Sequence, residues 1–413
     1  MRIHDAGMST VQEQAHDADA PNVGVDAHER IRVLLLTNSV AIGGMEKHVE
    51  MIARELDRTR AEVFTICPRW DAIEPWAAKL ATVADHSMRC TPDRRYGYRL
   101  LARDTFRLYR QLRSWRIQVM HMHLTTYDGG VWALLAARLA GVKVVICTEH
   151  LAPERPLPPP QRLRRDLVSR ALDHIVCVSL KNRQSREAYL YTPPAKTTVV
   201  NNGIDTIPYE PTPASEQAAL RASLDIPEQA PVIGTVVRLV EEKGLPYLFD
   251  ALPDVLAEFP DCRLLLVGDG PLRESLEQQA SALGVRHSIV FAGYQSDPRP
   301  YLSLLNAFVL PVPFGSASIG LLEAMAMRRA VIITFGGDGE PVVDNETGLW
   351  SPPRDSKALA QAILHILRNP QLERRLGEQA RERIDASFSA QNMADQLLGV
   401  YQAELIRAGR SRR

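Results

Sequence analysis

The chain has 413 residues, of which 45% are hydrophobic and 24% are charged. This length and composition predict a globular protein of two domains, each of roughly 200 residues. The 49 basic and 49 acidic residues cancel to a formal net charge of zero, which argues against nucleic acid as a partner. Five scattered cysteines without a Cys-x-x-Cys motif predict neither disulfides nor a metal site.

The first 29 residues are acidic and contain no apolar run. They predict a disordered tail over residues 1–29 and no secretion signal. The most apolar window, residues 131–147, is interrupted by Arg138 and Lys143, so it is not expected to span a membrane. We therefore expect a cytoplasmic protein, with peripheral attachment to the inner face of the cell membrane as the alternative.

Strands and helices alternate in the first half of the chain. Apolar, β-branched runs predict strands at 31–37, 61–67, 117–123, 142–150, 174–179 and 197–203. Helical patterns lie between them, at 46–57, 98–114 and 129–141. Strands that are apolar on both faces are typical of a doubly wound parallel sheet. Residues 30–206 are thus predicted to form an N-terminal Rossmann-like domain.

The pattern stops at residues 204–217, which are rich in Pro, Ser and Thr and predict a linker. It then restarts with apolar runs at 231–240, 262–270, 288–293, 307–312 and 330–337. We predict a second Rossmann-like domain over 207–388 and a C-terminal helix in 389–413. Open parallel sheets bind ligands at the carboxyl ends of their strands, so a cleft between the two domains is the expected site.

Gly268 and Gly270 follow a predicted strand, as in a dinucleotide-binding loop. The third glycine of that fingerprint and its acidic residue are both missing, which argues against an NAD enzyme.

Gly43 and Gly44 open the helix that follows the first strand. Bare backbone N–H groups and the helix dipole at this position suit a phosphate or a closely lying sugar. A turn that only requires a positive φ explains the pair as well.

Arg238 and Lys243 follow the first strand of the second half. Two cations at a strand end can stabilise the negative charge that develops on a leaving diphosphate. The alternative is a pair of solvated surface charges.

Glu323 lies in the first turns of a helix that begins near residues 318–320. The N–H groups at that helix start favour an anion, whereas the carboxylate can accept hydrogen bonds from two vicinal hydroxyls, as a ribose offers. A glutamate stabilised only by the helix dipole, by about 0.3–1 kcal/mol, needs no ligand and remains the alternative.

From about residue 30 to 405 the chain resembles the retaining GT-B glycosyltransferases of family 4, also called group 1. The matching stretches, in order, are "GGMEKHV", "HMHL", "TEH", "NNGID", "RLVEEKG", "LLLVGDGPLRESLE", "FAGY", "LPV", "LLEAMAM", "GGDGEPVVDNETGLW" and "SFS". The resemblance implies two Rossmann-like domains facing across a cleft, with the C-terminal helix crossing back to the N-terminal domain. It also implies metal-independent sugar transfer, without a cofactor, from a nucleotide-diphosphate sugar to a hydroxyl acceptor.

The resemblance also implies a role for individual residues. Glu323 would bind the ribose, and Arg238 and Lys243 would clamp the diphosphate. His123 would contact the donor sugar, and His150 would line the acceptor pocket, whereas His121 is expected to be structural. The remaining substrate contacts are assigned to Gly43, Gly44, Ser318, Ile319, Gly320 and Leu321.

The chain departs from the family at Gly315, where the family has a glutamate that holds the transferred sugar. A silent nucleotide-sugar-binding protein and a GT-B epimerase therefore stay open as alternatives.

The segment 93–116 carries many arginines on one side of a predicted amphipathic helix. They are Arg94, Arg95, Arg99, Arg103, Arg107, Arg110, Arg113 and Arg116. Such a face can rest on anionic lipid, at about 1 kcal/mol per basic residue, or can simply be solvated. Family members that act on lipid-linked acceptors often use the N-terminal domain in this way. A second basic, Pro-rich stretch at 154–166 is a candidate flank of the acceptor entrance.

Overall fold

The computed structural model describes residues 30–90, 98–124, 130–151, 155–313, 318–334 and 341–410. It contains two parallel sheets that follow one another along the chain and are covered by helices. The predicted α/β class with two doubly wound units is confirmed. The predicted tail at 1–29 lies outside the described residues, and the domain boundaries at 206 and 388 stay predictions.

The first sheet has seven strands in the order β3-β2-β1-β4-β5-β6-β7. Its strands are β1 Ile31–Thr37, β2 Ala61–Cys67, β3 His86–Arg89, β4 Val119–Leu124, β5 Val144–Glu149, β6 His174–Cys177 and β7 Thr197–Val199. Its helices are α1 Gly44–Glu55, α2 Glu74–Val83, α3 Tyr98–Ser114, α4 Val131–Ala140, α5 Pro159–Ala171 and α6 Leu180–Tyr189. The strand order reverses between β1 and β4, and such a switch point opens a crevice at the carboxyl ends of the strands.

The second sheet has six strands in the order β10-β9-β8-β11-β12-β13. Its strands are β8 Val232–Val236, β9 Arg263–Val267, β10 Ile289–Gly293, β11 Ala307–Leu310, β12 Ala330–Thr334 and β13 Leu349–Ser351. Its helices are α7 Ala214–Ser223, α8 Leu245–Glu258, α9 Arg273–Ala282, α10 Arg299–Ser303, α11 Ile319–Ala326, α12 Ser356–Leu367 and α13 Pro370–Ser387. Here the switch point lies between β8 and β11.

The last helix, α14 (Ala390–Arg410), packs against the first sheet. The buried Tyr401 hydroxyl lies 2.7 Å from His121 Nδ1, and Glu404 Oε1 lies 3.0 Å from His174 Nδ1. The Gly203 backbone passes so close that an added Cβ would lie 2.5 Å from the Ser389 carbonyl oxygen. These contacts confirm that the C-terminal helix crosses back to the N-terminal domain.

Two details differ from the sequence-based expectation. The short strands β3 and β13 were not predicted, because "HSMR" is polar and "LWS" has only three residues. Residues 214–217, predicted as linker, form the first turn of α7. Alanine, glutamate and glutamine at these positions are good helix formers and override the linker-like composition.

The predicted amphipathic character of α3 is confirmed. Its apolar face is buried through Leu101, Leu108 and Leu112. On the opposite face Arg103, Arg107, Arg110 and Arg113 are exposed, and so is Arg116 just after the helix. Arg94 and Arg95 lie outside the described residues.

The second basic stretch is less uniformly exposed than its composition suggests. Arg165 is only 3% exposed and is ion-paired with the buried Glu149. Its charge is therefore balanced inside the protein and does not contribute to a basic surface. None of the helices in the described part of the chain combines the length and the apolarity that a membrane crossing requires.

Candidate active site between the two sheets

The helices at the two switch points approach each other across the cleft. Gly43 is the N-cap of α1, and a Cβ added to Gly44 would lie 3.4 Å from Ile319 Cγ1 in α11. Gly43 has an extended backbone with φ −162°, and Gly44 is not among the residues with positive φ. The explanation of this pair as a positive-φ turn is therefore wrong, and contact with a phosphate or a closely lying sugar stays a prediction.

Glu323 of α11 forms a salt bridge with Lys47 of α1 and so connects these two helices. Its Oε1 accepts hydrogen bonds from Lys47 Nζ at 2.5 Å and from the Tyr209 hydroxyl at 3.0 Å. The Glu323 side chain is 2% exposed, whereas that of Lys47 is 39% exposed. One oxygen of this buried carboxylate thus accepts two hydrogen bonds, one of them from a lysine that water can reach.

Lys47 and Tyr209 were missed by sequence reasoning. Lys47 lies within the "GGMEKHV" stretch, in the first turn of α1, and that position was its only signal. Tyr209 lies in the predicted linker. Burial, followed by the nearby negative charge of Glu323, raises the pKa of Tyr209 above its ordinary value, so its hydroxyl stays a hydrogen-bond donor.

The N-terminus of α11 is packed directly onto the end of β8. A Cβ on Gly320 would lie 2.3 Å from the Val236 carbonyl oxygen, so this position requires glycine. Ser318 is the N-cap, but its side chain makes no capping hydrogen bond, and the Leu321 N–H donates to the Ser318 carbonyl at 3.2 Å. Gly315 lies outside the described residues.

Arg238 and Lys243 lie on the loop after β8, next to this helix start. Arg238 is exposed, and its charge acts on the buried Glu46 of α1. Burial raises the pKa of Glu46, and hydrogen bonds from Ser39 and Gly43 together with the Arg238 charge oppose that rise. The predicted cations are therefore both at the second switch point.

Gly244 fixes the loop that carries Lys243. It has φ +64°, and a Cβ would lie 2.0 Å from the Pro311 carbonyl oxygen. The residue after Lys243 is thus held against the end of β11, where only glycine fits.

Histidines line the opposite wall, at the first switch point. His123 Nδ1, at the end of β4, lies 3.3 Å from His150 Nε2, just after β5. The His48 ring of α1, which sequence reasoning missed, lies 4.8 Å from the His150 ring and 5.5 Å from the His123 ring between centroids. His121 is bonded to Tyr401 and Thr148 instead, in keeping with its expected structural role.

These imidazoles are neutral in the folded protein. Burial lowers the pKa of His48 to about 4, partly offset by the neighbouring Asn202. Burial, with the nearby His48 and His174, lowers the pKa of His121 to about 3. Burial also holds the pKa values of His123 and His150 well below the ordinary range. Around neutral pH this wall offers uncharged donors and acceptors.

Two known families match consecutive parts of the chain. Residues 42–207 match the family described as Glycosyltransferase Family 4, and residues 216–383 match the family described as Glycosyl transferases group 1. The chain belongs to the family 4, group 1 glycosyltransferases. Together the two matches cover the chain from β2 to β13, which is every strand of the two sheets except β1.

Individual relatives place this family membership in context. The chain is 28% identical over 402 residues to a GDP-mannose-dependent alpha-(1-6)-phosphatidylinositol monomannoside mannosyltransferase of Mycolicibacterium smegmatis, covering 92% of this chain and 100% of that protein. It is 30% identical over 191 residues to an alpha-D-kanosaminyltransferase of Streptomyces kanamyceticus. That second match spans about half of each protein, 46% of this chain and 49% of the relative.

The GT-B fold is also found among solved structures. The Anabaena protein HepE, crystallised with UDP and glucose, superimposes with a TM-score of 0.78 at 20% identity. The superposition covers 91% of this chain and 100% of HepE. At this identity the likeness supports the fold.

Proposed function

We propose that this glycosyltransferase moves a sugar from a nucleoside-diphosphate sugar to a hydroxyl of its acceptor, with retention of configuration. The observation that carries the proposal is the buried Glu323 carboxylate in the first turns of α11, which pairs across the two helices with the half-exposed Lys47. The printed names of relatives agree with such a donor: one is GDP-mannose-dependent, and HepE was crystallised with UDP and with UDP-glucose.

On the wall of the cleft built on the second sheet, Glu323 would accept hydrogen bonds from the ribose hydroxyls. Lys47 and Tyr209 both donate to Oε1 of this carboxylate, so the ribose hydroxyls would use Oε2 or replace one of these two donors. Lys47 is half-exposed and can move toward the diphosphate without becoming buried and unpaired.

The diphosphate would lie between the α11 N-terminus and the pair Arg238 and Lys243. Free N–H groups at a helix start and two cations stabilise the negative charge that grows as the glycosyl–phosphate bond breaks. The leaving phosphate oxygen would take the proton of the acceptor hydroxyl, which attacks on the same face of the sugar.

On the wall of the cleft built on the first sheet, His123 and His150 would contact the sugar and the acceptor. Neutral imidazoles can hydrogen-bond to uncharged hydroxyls without competing for the phosphates. The exposed arginines of α3 would hold the N-terminal domain on an anionic membrane surface, near a lipid-linked acceptor.

A donor panel tests this proposal. The purified protein would be incubated with a set of UDP-, GDP- and dTDP-sugars, and the nucleotide products would be separated by chromatography. Release of free nucleoside diphosphate from one donor, in wild type but not in an Arg238→Ala variant, is the expected result. Isomerisation of the donor would identify an epimerase, and binding without any turnover would identify a silent protein.

A further inference from the structure

The chain segment around Tyr209, between the two sheets, is held against the helices of the second sheet. Arg299 of α10 donates to the Pro208 carbonyl oxygen at 3.0 Å. Arg381 of α13 donates to the Tyr209 carbonyl oxygen and to that of Ala326, the last residue of α11, each at 2.9 Å. The Arg381 side chain is only 13% exposed. The backbone on both sides of Tyr209 is therefore fixed relative to α11.

The side chain of Tyr209 is fixed as well. Its ring packs against the hydrophobic core, and its hydroxyl donates to Glu323 Oε1 at 3.0 Å. A tyrosine has only two side-chain torsions, so an anchored backbone and a packed ring together place the hydroxyl at one position. Tyr209 is thus a firmly held donor at one oxygen of the carboxylate.

Lys47, the other donor to this oxygen, is held less firmly. Its side chain is 39% exposed, against 2% for Glu323, and a lysine carries a strongly hydrated head on a flexible four-carbon stem. Lys47 can therefore leave the carboxylate for water or for a phosphate. Tyr209 cannot leave it without unpacking its ring.

The second oxygen of the Glu323 carboxylate has a different environment. Among the described residues no donor contacts Oε2, since the hydrogen bonds from Lys47 and Tyr209 both end on Oε1. The last torsion of a glutamate side chain is broad and roughly twofold, so the rotamer alone does not fix the plane of the carboxylate. A firmly held donor on Oε1 fixes that plane and gives Oε2 a defined direction.

We propose that Tyr209 is a positioning residue, which holds Oε1 of Glu323 so that Oε2 accepts hydrogen bonds from the vicinal hydroxyls of the donor's ribose. This inference rests on the proposed function, in which Glu323 binds the ribose, and it adds the group that orients the carboxylate. One carboxylate oxygen can accept two hydrogen bonds, which matches a pair of vicinal hydroxyls. Tyr209 acts through Glu323 in this role and not through a contact of its own with the nucleotide.

Calorimetry with two nucleotides that differ only in the ribose hydroxyls tests this role. The first is UDP or GDP, whichever wild type binds more tightly, and the second is its 2′,3′-dideoxy form. Tyr209→Phe keeps the packed ring and removes the hydroxyl. It should bind the ribonucleotide roughly three- to tenfold more weakly than wild type, as for the loss of one hydrogen bond, and bind the dideoxy form as wild type does. The matched control is Tyr301→Phe, which removes the hydroxyl of another tyrosine packed against the same core and should bind both nucleotides like wild type.

A double-mutant cycle with Glu323→Gln shows which residue Tyr209 acts through. In the Glu323→Gln background, Tyr209→Phe should change the affinity for the ribonucleotide by less than about twofold. An equal loss with both nucleotides, or an equal loss with and without Glu323, would overturn the proposal and leave Tyr209 as a packing residue. Wild-type affinity in Tyr209→Phe would overturn it as well.

The same measurements separate this inference from the proposed function. If Glu323→Gln binds the ribonucleotide weakly while Tyr209→Phe behaves like wild type, the ribose role of Glu323 stands and only the positioning role falls. If Glu323→Gln itself binds like wild type, the ribose role is wrong and the positioning role falls with it.

Discussion

The two switch points of this protein face each other but carry opposite chemistry. The wall built on the first sheet presents His48, His123 and His150, which are neutral because burial lowers their pKa values. The wall built on the second sheet presents the basic side chains Arg238 and Lys243 and the acidic Glu323, which is ion-paired with Lys47. In the proposed function, the wall on the first sheet would contact hydroxyls and the wall on the second sheet would hold the nucleoside diphosphate.

The difference follows from exposure to water for the cations, and from hydrogen bonds donated by Lys47 and Tyr209 for the buried Glu323. Arg238 is exposed and Lys47 is half-exposed, so both keep their charge at little cost. The histidines lie in the interior, where a charged form would have to lose its hydration. The Lys47–Glu323 pair is where the two kinds of wall meet.

The largest expected effect comes from removing a cation of the charged wall. Arg238→Ala and Lys243→Ala should each lower turnover by ~10²–10³, as for the loss of one preorganised group at a developing anion. Arg368→Ala, which removes an exposed arginine that follows α12 and pairs with Glu258 at the end of α8, is the matched control. Steady-state rates with the active donor measure the effect, and unchanged rates in both cleft variants would remove the distinction between the walls.

Low pH should lower the stability of the folded protein through His48, which is buried in its neutral form. The pKa of His48 is lowered to about 4 in the folded protein from an ordinary value of 6.5, so protonation favours the unfolded chain. Its contribution is fully present above pH 6.5 and is lost as the pH falls toward 4, up to about 3 kcal/mol at 1.36 kcal/mol per pKa unit.

Denaturant unfolding between pH 7 and pH 4 measures this dependence. His48→Asn should flatten the pH profile, and His365→Asn, at an exposed position, should leave it as in wild type. A His48 variant with the wild-type pH dependence would show that this histidine is not buried in its neutral form.

A methyl group added at Gly320, where α11 packs onto β8, should destabilise the folded protein by a smaller amount. Gly320→Ala places a methyl group 2.3 Å from the Val236 carbonyl oxygen, which forces the helix away from β8 and costs about 1–3 kcal/mol. Gly399→Ala meets no atom within 4 Å and is the control. The measurement is the unfolding midpoint of each variant. Equal midpoints would mean that α11 does not pack against the Val236 carbonyl as closely as described.

The smallest expected effect lies outside the cleft, on α3. Sedimentation with anionic vesicles should be detectable at low salt and weaken as ionic strength rises, because each exposed arginine contributes only about 1 kcal/mol near the surface. Replacing Arg103, Arg107 and Arg110 by Gln should reduce it further. Equal sedimentation with neutral and anionic vesicles would mark α3 as an ordinary solvated helix.

The strands that carry both walls of the cleft could be predicted from the sequence, whereas the contact between the two walls could not. The apolar strands before Arg238 and His123 could be recognised because parallel strands read as continuous hydrophobic runs. The Lys47–Glu323 pair joins residues 276 positions apart, and nothing local in either segment indicates the other. His48 likewise looked like an ordinary helix residue until the strand pairing placed it beside His150.

Nucleotide calorimetry on Glu323 tests the central claim most directly. Glu323→Gln keeps the size of the side chain but loses an acceptor for ribose hydroxyls, and hydrogen bonds to a charged group are worth about 1.5–3 kcal/mol. The account predicts that the variant binds the preferred nucleoside diphosphate ~10- to 100-fold more weakly, while Glu346→Gln, an exposed position in the same domain, binds it as wild type does. A folded Glu323→Gln protein with wild-type nucleotide affinity would contradict the account, because the charged wall would then not be where the nucleotide is held.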